Sequence, residues 1–364
     1  MRLSLDAVER ELGRLWDAET RHGAPSRIGL QTLVALVSEP EQLERAQRVV
    51  DEVACAVPLR TIVAVWRSGG APAITGDVAL HHPRGGGVAC GDAITIEAIG
   101  DAREWIPGNA ERLSLPDLPV CMWWVGDLPD YDHLFDKMVV GADLVVVNSQ
   151  EMDLRDLHKL SSIARGTRRY AFADLTWIRL RWLQDLVARF FDDEAGRAWL
   201  PKVQRVTIEY SPRPGGSDAA STLAGLLFGW IAHALGVHGD GATWKRAEGW
   251  AEVTVGQLVA RFEPRPRPDV LPGGIVRLAI EGPGARFQVE RLADPETFRW
   301  SRELPGVPTP PLVVHVQTKS VDEAALLLGC VEHPIRDALL EASLQVASRL
   351  CLPVAPRLSE PPEG

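Results

Sequence analysis

Short, continuously apolar runs alternate with helical patterns through about the first 150 residues, and this alternation narrows the choice of fold more than any other feature. The runs are IGLQTLVALV from Ile28, TIVAVW from Thr61, ITIEAIG from Ile94, PVCMWWV from Pro119 and LVVVNS from Leu144. Several of them lack the polar alternation of a strand that has one face in water, so both of their faces should be covered. The pattern predicts an α/β domain with a mainly parallel sheet between two layers of helices.

The second half of the chain has a different pattern. It opens with VQRVTIEY from Val203, and a long helix is expected to run to about Gly236. Three segments with alternating apolar residues follow, namely AEVTVGQLVARFEP, GIVRLAIEG and ARFQVERL. Such alternation predicts strands with one buried face, and GPGARF from Gly282 predicts a hairpin turn between two of them. With PLVVHVQ as a further strand and two closing helices, this half is expected to be an α+β domain with a mainly antiparallel sheet.

The change of pattern sets the expected domain boundaries. They are an N-terminal α/β domain over 1–165, a bridging helical segment over 166–200, a C-terminal α+β domain over 201–355 and a flexible tail over 356–364. In the bridging segment, Asp174 precedes a helical pattern and is expected to cap it by accepting a hydrogen bond from an unpaired backbone amide.

The charge of the chain disfavours several classes of partner. Lys and Arg number 39 and Asp and Glu number 49, which gives a net charge of −10. Neither nucleic acid nor an anionic membrane is therefore expected to be a partner. No apolar segment approaches the roughly 20 residues of a membrane helix, and the N-terminal residues lack a signal-peptide core. We expect a cytoplasmic protein.

The sequence contains no recognisable catalytic, cofactor or metal motif. The glycine-rich stretch PRGGGVACGD from Pro83 breaks the GxGxxG spacing and leads into a strand, whereas a phosphate site needs the N-terminus of a helix. His81 and His82 are adjacent and would point to opposite faces of a strand, and no HExxH occurs. We expect no enzyme, no cofactor and no metal.

The five cysteines form no CxxC pair. Cys55 and Cys121 lie within apolar runs and are expected to act as small buried residues. Cys90 lies in the glycine-rich approach to a strand and is a candidate redox residue if it is exposed.

Tryptophan is unusually frequent, with 12 residues against three tyrosines. Trp123 and Trp124 are adjacent in a predicted strand, so their side chains should point to opposite faces. One of them can be packed beneath a helix while the other reaches the end of the strand, where partners of parallel sheets tend to bind. At least one is therefore a candidate for an interface or a pocket.

Several segments resemble one known family. They are LSLPDLPVCMWWVGD from Leu113, DLTWIRLRWLQDLVARFFD from Asp174, VPLRTI from Val57 and AASTLAGLLFGWIAHALG from Ala219. Taken in chain order, they are similar to segments of the glucose-6-phosphate dehydrogenase assembly protein family (OpcA). The resemblance implies a non-catalytic allosteric activator that binds glucose-6-phosphate dehydrogenase and promotes its active oligomer or its response to substrate. Such a protein would control entry into the oxidative pentose phosphate pathway.

A partner protein of this kind needs a contact surface. Aromatic and arginine residues dominate the hot spots of protein interfaces. Their densest clusters in this chain, together with the expected helix cap, predict an interface formed by Trp123, Trp124, Asp174, Trp177, Arg179, Arg181 and Trp182.

Two other interpretations remain open from the sequence. In the first, the α/β domain binds a sugar phosphate or a nucleotide of its own at the strand ends near Gly126 and Asp127. In the second, oxidation of Cys90 or another thiol alters binding to a partner.

Overall fold

A computed structural model describes residues 4–21, 29–37, 39–83, 87–126, 133–152, 157–165, 170–212, 221–239, 241–247, 249–316, 322–334 and 336–350. The chain divides into two compact units. Unit 1 comprises Met1–Glu151, Gly166–Ile178 and Ser320–Asp337, and unit 2 comprises Met152–Arg165, Arg179–Lys319 and Ala338–Gly364.

The helices and strands are numbered along the chain. The α-helices are α1 Val8–Arg21, α2 Leu43–Ala56, α3 Ile106–Leu113, α4 His133–Val140, α5 Leu157–Arg165, α6 Leu175–Ala188, α7 Glu194–Trp199, α8 Thr222–Ala234, α9 Glu323–Glu332 and α10 Ala338–Leu350. The strands are β1 Gln31–Val37, β2 Leu59–Arg67, β3 Ala73–His81, β4 Gly91–Ile99, β5 Val120–Val125, β6 Leu144–Val147, β7 Ala171–Asp174, β8 Arg205–Tyr210, β9 Thr243–Ala247, β10 Trp250–Val255, β11 Leu258–Pro264, β12 Ile275–Gly282, β13 Ala285–Arg291, β14 Thr297–Glu303 and β15 Leu312–His315.

Unit 1 is built on a seven-stranded sheet of order β3-β4-β2-β1-β5-β6-β7. Every neighbouring pair is parallel except β3 and β4, which are antiparallel. In β1 all residues from Thr32 to Val37 are buried, because the central strand of a parallel sheet is covered on both faces. The expected mainly parallel sheet of the N-terminal half is confirmed.

One layer of the unit 1 core includes a helix from late in the chain. Ala324, Leu326 and Leu327 of α9 are buried in the same apolar cluster as Val50 of α2 and Trp123 of β5. The segment that carries α9 therefore belongs to unit 1, although it was expected within the C-terminal domain.

Unit 2 is built on an eight-stranded sheet of order β15-β14-β13-β12-β8-β11-β10-β9. Its neighbouring strands are antiparallel except for β8 and β11. Strands β10, β11 and β13 alternate buried and partly exposed residues, as the sequence pattern predicted. Between β12 and β13, Gly284 has a φ of 73° and forms the predicted hairpin turn.

Helices α8 and α10 of unit 2 approach each other closely at Gly229. A Cβ atom added at Gly229 would lie 2.5 Å from the carbonyl oxygen of Ser343 and 2.7 Å from Cβ of Ala347. Helix α5 also packs against α10, so residues 152–165 belong to unit 2 and not to the N-terminal domain in which they were expected.

The division of the chain thus differs from the four consecutive segments expected from the sequence. The expected bridging segment begins in unit 1 and ends in unit 2, because the division falls within α6. Strands β3, β7, β9 and β14 were not predicted, whereas both fold classes were. The expected tail over 356–364 lies outside the described residues.

Within the described ranges, the structure contains no helix that is long and apolar enough to cross a membrane.

Candidate functional site

Trp123 and Trp124 of β5 lie on opposite faces of the sheet, and both are buried. Their side chains are 0% and 1% exposed. Trp124 packs against Phe135 and Trp66, with ring centroids 5.1 Å and 6.1 Å away. Nε1 of Trp123 finds no hydrogen-bond partner among the described residues, so this side chain acts through packing. Neither tryptophan reaches the surface, and the expectation that one of them points away from the core is wrong.

Asp174 ends β7 and caps α6. One carboxylate oxygen accepts hydrogen bonds from the amides of Thr176 and Ser149, each at 3.0 Å, and the other accepts one from the Ser149 hydroxyl at 2.6 Å. The side chain is fully buried. The predicted helix cap is confirmed, and the same carboxylate also fixes the turn that follows β6.

A second hydrogen-bonded group lies beside this cap in unit 1. The Thr176 hydroxyl donates to Asn148 at 2.9 Å, and the Asn148 amide donates to Glu323 at 3.1 Å. Glu323 also accepts two hydrogen bonds from Arg45, at 2.6 Å and 2.8 Å. The polar side chains at the carboxyl ends of β6 and β7 therefore bind one another and the first turns of α2, α6 and α9.

The carboxyl ends of β1 and β5 are where an open parallel sheet usually binds a ligand, because the strand order reverses there. After β1 the chain continues through Glu39 and Glu41 into α2, which has Glu44 in its first turn. Carboxylates at a helix N-terminus repel a phosphate group. After β5, Gly126 has a φ of 99°, and Asp127 lies outside the described residues.

Trp177 is also held inside unit 1. Its side chain is 2% exposed, and its indole N–H donates to Oδ2 of Asp337 at 2.8 Å. The aromatic ring therefore joins the first turn of α6 to the segment after α9.

The other three predicted interface residues lie further along α6, in unit 2. Arg181 is exposed, while Arg179 and Trp182 are partly exposed. The ring of Trp182 packs against Phe298 at 4.3 Å, and the guanidinium of Arg291 lies 5.8 Å from the Trp182 ring centroid. Of the seven predicted residues, the structure thus leaves these three at or near the surface.

The sequence prediction omitted Trp105, which is 50% exposed. It ends a short 3-10 helix, Gly100–Trp105, that follows β4. In the same turn, the guanidinium of Arg103 lies 4.8 Å from the Trp66 ring centroid, and Glu104 pairs with Lys137 at 2.9 Å. The sequence signal was a tryptophan beside charged residues, but the pattern of this segment did not show which side faced the core.

Cys90 lies beside a second cysteine. Its Sγ atom is 3.3 Å from Sγ of Cys55, and both residues are partly exposed. Burial, and after it the neighbouring Cys55, raise the pKa of Cys90 to about 12. The sequence could not show this proximity, since the two cysteines are 35 positions apart.

Over the ranges that the structure describes, the histidines and acidic residues are not arranged to hold a metal ion. No group of three or more His, Cys, Asp or Glu side chains in the described part of the chain is placed to bind one. The buried His81 instead contacts the Thr61 hydroxyl at 2.7 Å and Asp51 at 2.9 Å.

Residues 50–164 match the family described as the N-terminal domain of a glucose-6-phosphate dehydrogenase subunit. Residues 170–344 match the family described as the C-terminal domain of such a protein.

Curated relatives from Synechocystis sp. and Nostoc punctiforme both bear the name "Putative OxPP cycle protein OpcA". The first is 32% identical over 152 residues, which are 40% of this chain and 30% of the relative. The second is 29% identical over 197 residues, which are 52% of this chain and 40% of the relative. The chain thus matches less than half the length of either protein.

A solved oxidoreductase structure from Bacillus cereus has a TM-score of 0.45 and 9% identity, and the similarity covers 88% of this chain and 94% of that one.

Because the two family matches together cover well over half of the sequence, the chain belongs to the OpcA family of glucose-6-phosphate dehydrogenase assembly proteins.

Proposed function

We propose that the protein is a cytoplasmic, non-catalytic assembly factor and allosteric activator that binds glucose-6-phosphate dehydrogenase and promotes its active oligomer. Through this enzyme it controls entry into the oxidative pentose phosphate pathway. The observation that carries the proposal is the family membership, which extends over residues 50–164 and 170–344.

The hydrogen bonding in unit 1 supports a role without chemistry of its own. Where an α/β enzyme would present polar groups to a substrate, Asp174 and Glu323 accept hydrogen bonds from neighbouring side chains and backbone amides. The glutamates that follow β1 disfavour a bound phosphate at the N-terminus of α2. The carboxylates of Asp174 and Glu323 therefore stabilise the fold of unit 1.

Activation requires a difference in affinity between two states of the enzyme. A protein that binds the active form more tightly than the inactive form shifts the population towards the active form. A tenfold shift needs only about 1.4 kcal/mol of differential binding free energy. A few interface side chains can supply that difference.

We propose two exposed patches, one in each unit, as parts of the contact surface. The unit 1 patch is Trp105 with Arg103, and the unit 2 patch is Arg181 with Arg179 and Trp182. The support is that these are exposed or partly exposed tryptophan and arginine residues, the types that contribute most to binding. In this proposal the buried Trp123, Trp124, Asp174 and Trp177 act indirectly, by holding the framework that carries the patches.

The test is co-expression with the glucose-6-phosphate dehydrogenase of the same organism, followed by size-exclusion chromatography and an activity assay. We expect the two proteins to elute together, with a larger enzyme oligomer and higher activity than the enzyme alone. Separate elution together with unchanged activity would contradict the proposal. Measurement of kcat and KM over a range of enzyme concentrations separates an effect on assembly from an effect on substrate affinity.

The same preparation tests the alternative of a ligand-binding α/β protein. A protein that binds glucose 6-phosphate or NADP by itself should show a higher melting temperature with that ligand and no enzyme present. A protein that acts only through its partner should show no such shift.

A further inference from the structure

Two segments of unit 1 bring Cys55 and Cys90 together. Cys55 lies in the last turn of α2, and Cys90 immediately precedes β4. The Cys90 amide donates to the carbonyl of His81 at 2.9 Å, which fixes Cys90 beside the end of β3. The two Sγ atoms are 3.3 Å apart, although the residues are separated by 35 positions.

At this distance the two sulfur atoms are in contact but are not bonded. A disulfide has a sulfur–sulfur distance of about 2.05 Å, so the two atoms need to approach by little more than about 1 Å. A rotation about the Cα–Cβ bond of either side chain moves its sulfur atom by a distance of this size.

The accessibility of this pair sets it apart from the other described cysteines. Cys55 and Cys90 are partly exposed, whereas Cys121 and Cys330 are buried in the core of unit 1. A small oxidant in solution can therefore reach the first pair and not the second.

We propose that Cys55 and Cys90 form a reversible intramolecular disulfide when the protein meets a peroxide or a small disulfide as oxidant. This modification site is independent of the proposed function, because it requires no partner.

The reaction with hydrogen peroxide balances in two steps. Sγ of Cys55 attacks one peroxide oxygen, the O–O bond breaks, and the products are a sulfenic acid and one water. Sγ of Cys90 then attacks the sulfenic sulfur, the S–O bond breaks, and the hydroxyl leaves as a second water with the proton of the Cys90 thiol. Two thiols are oxidised and one peroxide is reduced.

The electrostatics of the pair give the order of these steps. Burial and the neighbouring Cys55 raise the pKa of Cys90 to about 12, so this thiol is protonated at neutral pH. A protonated thiol is a poor nucleophile. The first oxidation therefore falls on Cys55, whose Sγ accepts the hydrogen bond of the Cys90 thiol. The resulting sulfenic acid removes the Cys55 thiol, one of the causes of the raised Cys90 pKa, and Cys90 loses its proton as it attacks the sulfenic sulfur.

The bond would tie the end of α2 to the start of β4. Such a cross-link restricts the unfolded chain more than the folded one, and it should raise the thermal stability of the oxidised protein.

The experiment treats the full chain with hydrogen peroxide and then alkylates it under denaturing conditions. The reduced protein has five alkylatable thiols. We expect the oxidised protein to lose two of them, to lose the mass of two hydrogen atoms, and to yield one cross-linked peptide pair containing Cys55 and Cys90. Dithiothreitol should restore all the thiols and lower the melting temperature again.

Three serine variants serve as controls. Cys55→Ser and Cys90→Ser should abolish the cross-link, whereas Cys121→Ser should retain it. The proposal is overturned if the oxidised wild-type chain keeps all its thiols, if the cross-link maps to another pair, or if covalent dimers form instead. The wild-type peptide map decides the matter even if a variant fails to fold.

Discussion

The indole N–H of Trp177 donates to a carboxylate oxygen of Asp337 at 2.8 Å, and so joins two segments of unit 1 that are 160 positions apart in the chain. A residue that the sequence suggested as a surface anchor is therefore an internal one. Its ring fills space within the unit, and its only polar side-chain atom is satisfied by a residue near the end of the described chain.

Trp177→Ala should lower the free energy of unfolding by about 3–5 kcal/mol, because it leaves a cavity and removes the hydrogen bond to Asp337. Guanidinium chloride unfolding followed by circular dichroism measures the change. Trp105→Ala is the matched control, since that side chain is half exposed, and it should change the free energy of unfolding by less than about 1 kcal/mol. Equal effects of the two substitutions would contradict the burial described for Trp177.

Asp174→Ala should cost at least about 2 kcal/mol of unfolding free energy, because it uncaps α6 and leaves the hydrogen-bonding groups of Ser149 unpaired in a buried site. Asp322→Ala removes only the exposed cap of α9 and should cost about 1 kcal/mol. Thermal unfolding of the two variants gives the comparison. If Asp174→Ala lowers the unfolding free energy no more than Asp322→Ala does, the hydrogen bonds to Ser149 contribute nothing to stability.

Gly229→Ala and Gly108→Ala should change stability in opposite directions. An added methyl group at Gly229 would collide with α10, whereas the one at Gly108 in α3 would meet no atom within 4 Å. Alanine is favoured over glycine within a helix by about 1 kcal/mol. Gly108→Ala should therefore raise the melting temperature, and Gly229→Ala should lower it. A rise for both variants would show that α8 and α10 are further apart than described.

Arg267 and Asp269 should give the stability of unit 2 a dependence on acid pH. Two hydrogen bonds of 2.8 Å and 2.6 Å from Arg267 lower the pKa of Asp269 from 3.8 to about 2. Since the folded-state pKa is the lower one, the stabilisation is complete above about pH 4 and is lost as the pH falls through about 2.

In Asp269→Asn the melting temperature should vary less with pH over this range than in the wild-type protein. Asp269 is exposed and Arg267 is partly exposed, so the difference between the two proteins should shrink at high salt. If the melting temperatures of the two proteins changed equally with pH at low salt, the ion pair of Arg267 and Asp269 would contribute nothing to the pH dependence of stability.

Trp105→Ala and Arg181→Glu should weaken binding to the dehydrogenase without unfolding the protein. A hot-spot tryptophan is worth about 2 kcal/mol or more, which corresponds to roughly a 30-fold loss of affinity, and we expect at least a fivefold loss for the arginine. Titration of each variant against the enzyme measures the change. Arg14→Glu, on the exposed side of α1, is the control and should bind normally. Normal binding by both test variants would rule out these patches and leave the activation itself in place.

Local patterns predicted much of the fold. Strands β1, β2, β5 and β6 were recognisable because a strand covered on both faces is apolar throughout. The cap at Asp174 was recognisable because capping involves only neighbouring residues. Strands β3 and β14 were missed because polar residues interrupt their apolar positions, and β7 because it is short and runs directly into α6.

The features that the sequence did not predict depend on contacts between segments that are far apart in the chain. The burial of Trp124 depends on Trp66 and Phe135, which come from other segments of the chain. Helix α9 is apolar along most of its length, which shows that it is buried but not in which core. The approach of Cys55 to Cys90 depends likewise on how α2 packs beside the strands.

The contribution of α9 to unit 1 has a consequence for synthesis on the ribosome. When Ile178 has been made, the apolar surface that α9 will cover is already present, but about 140 further residues must be added before α9 follows. At typical rates of translation this takes on the order of ten seconds. During that interval the nascent chain exposes an unfinished core, which makes it a substrate for chaperones that bind apolar surfaces before the protein can meet any partner.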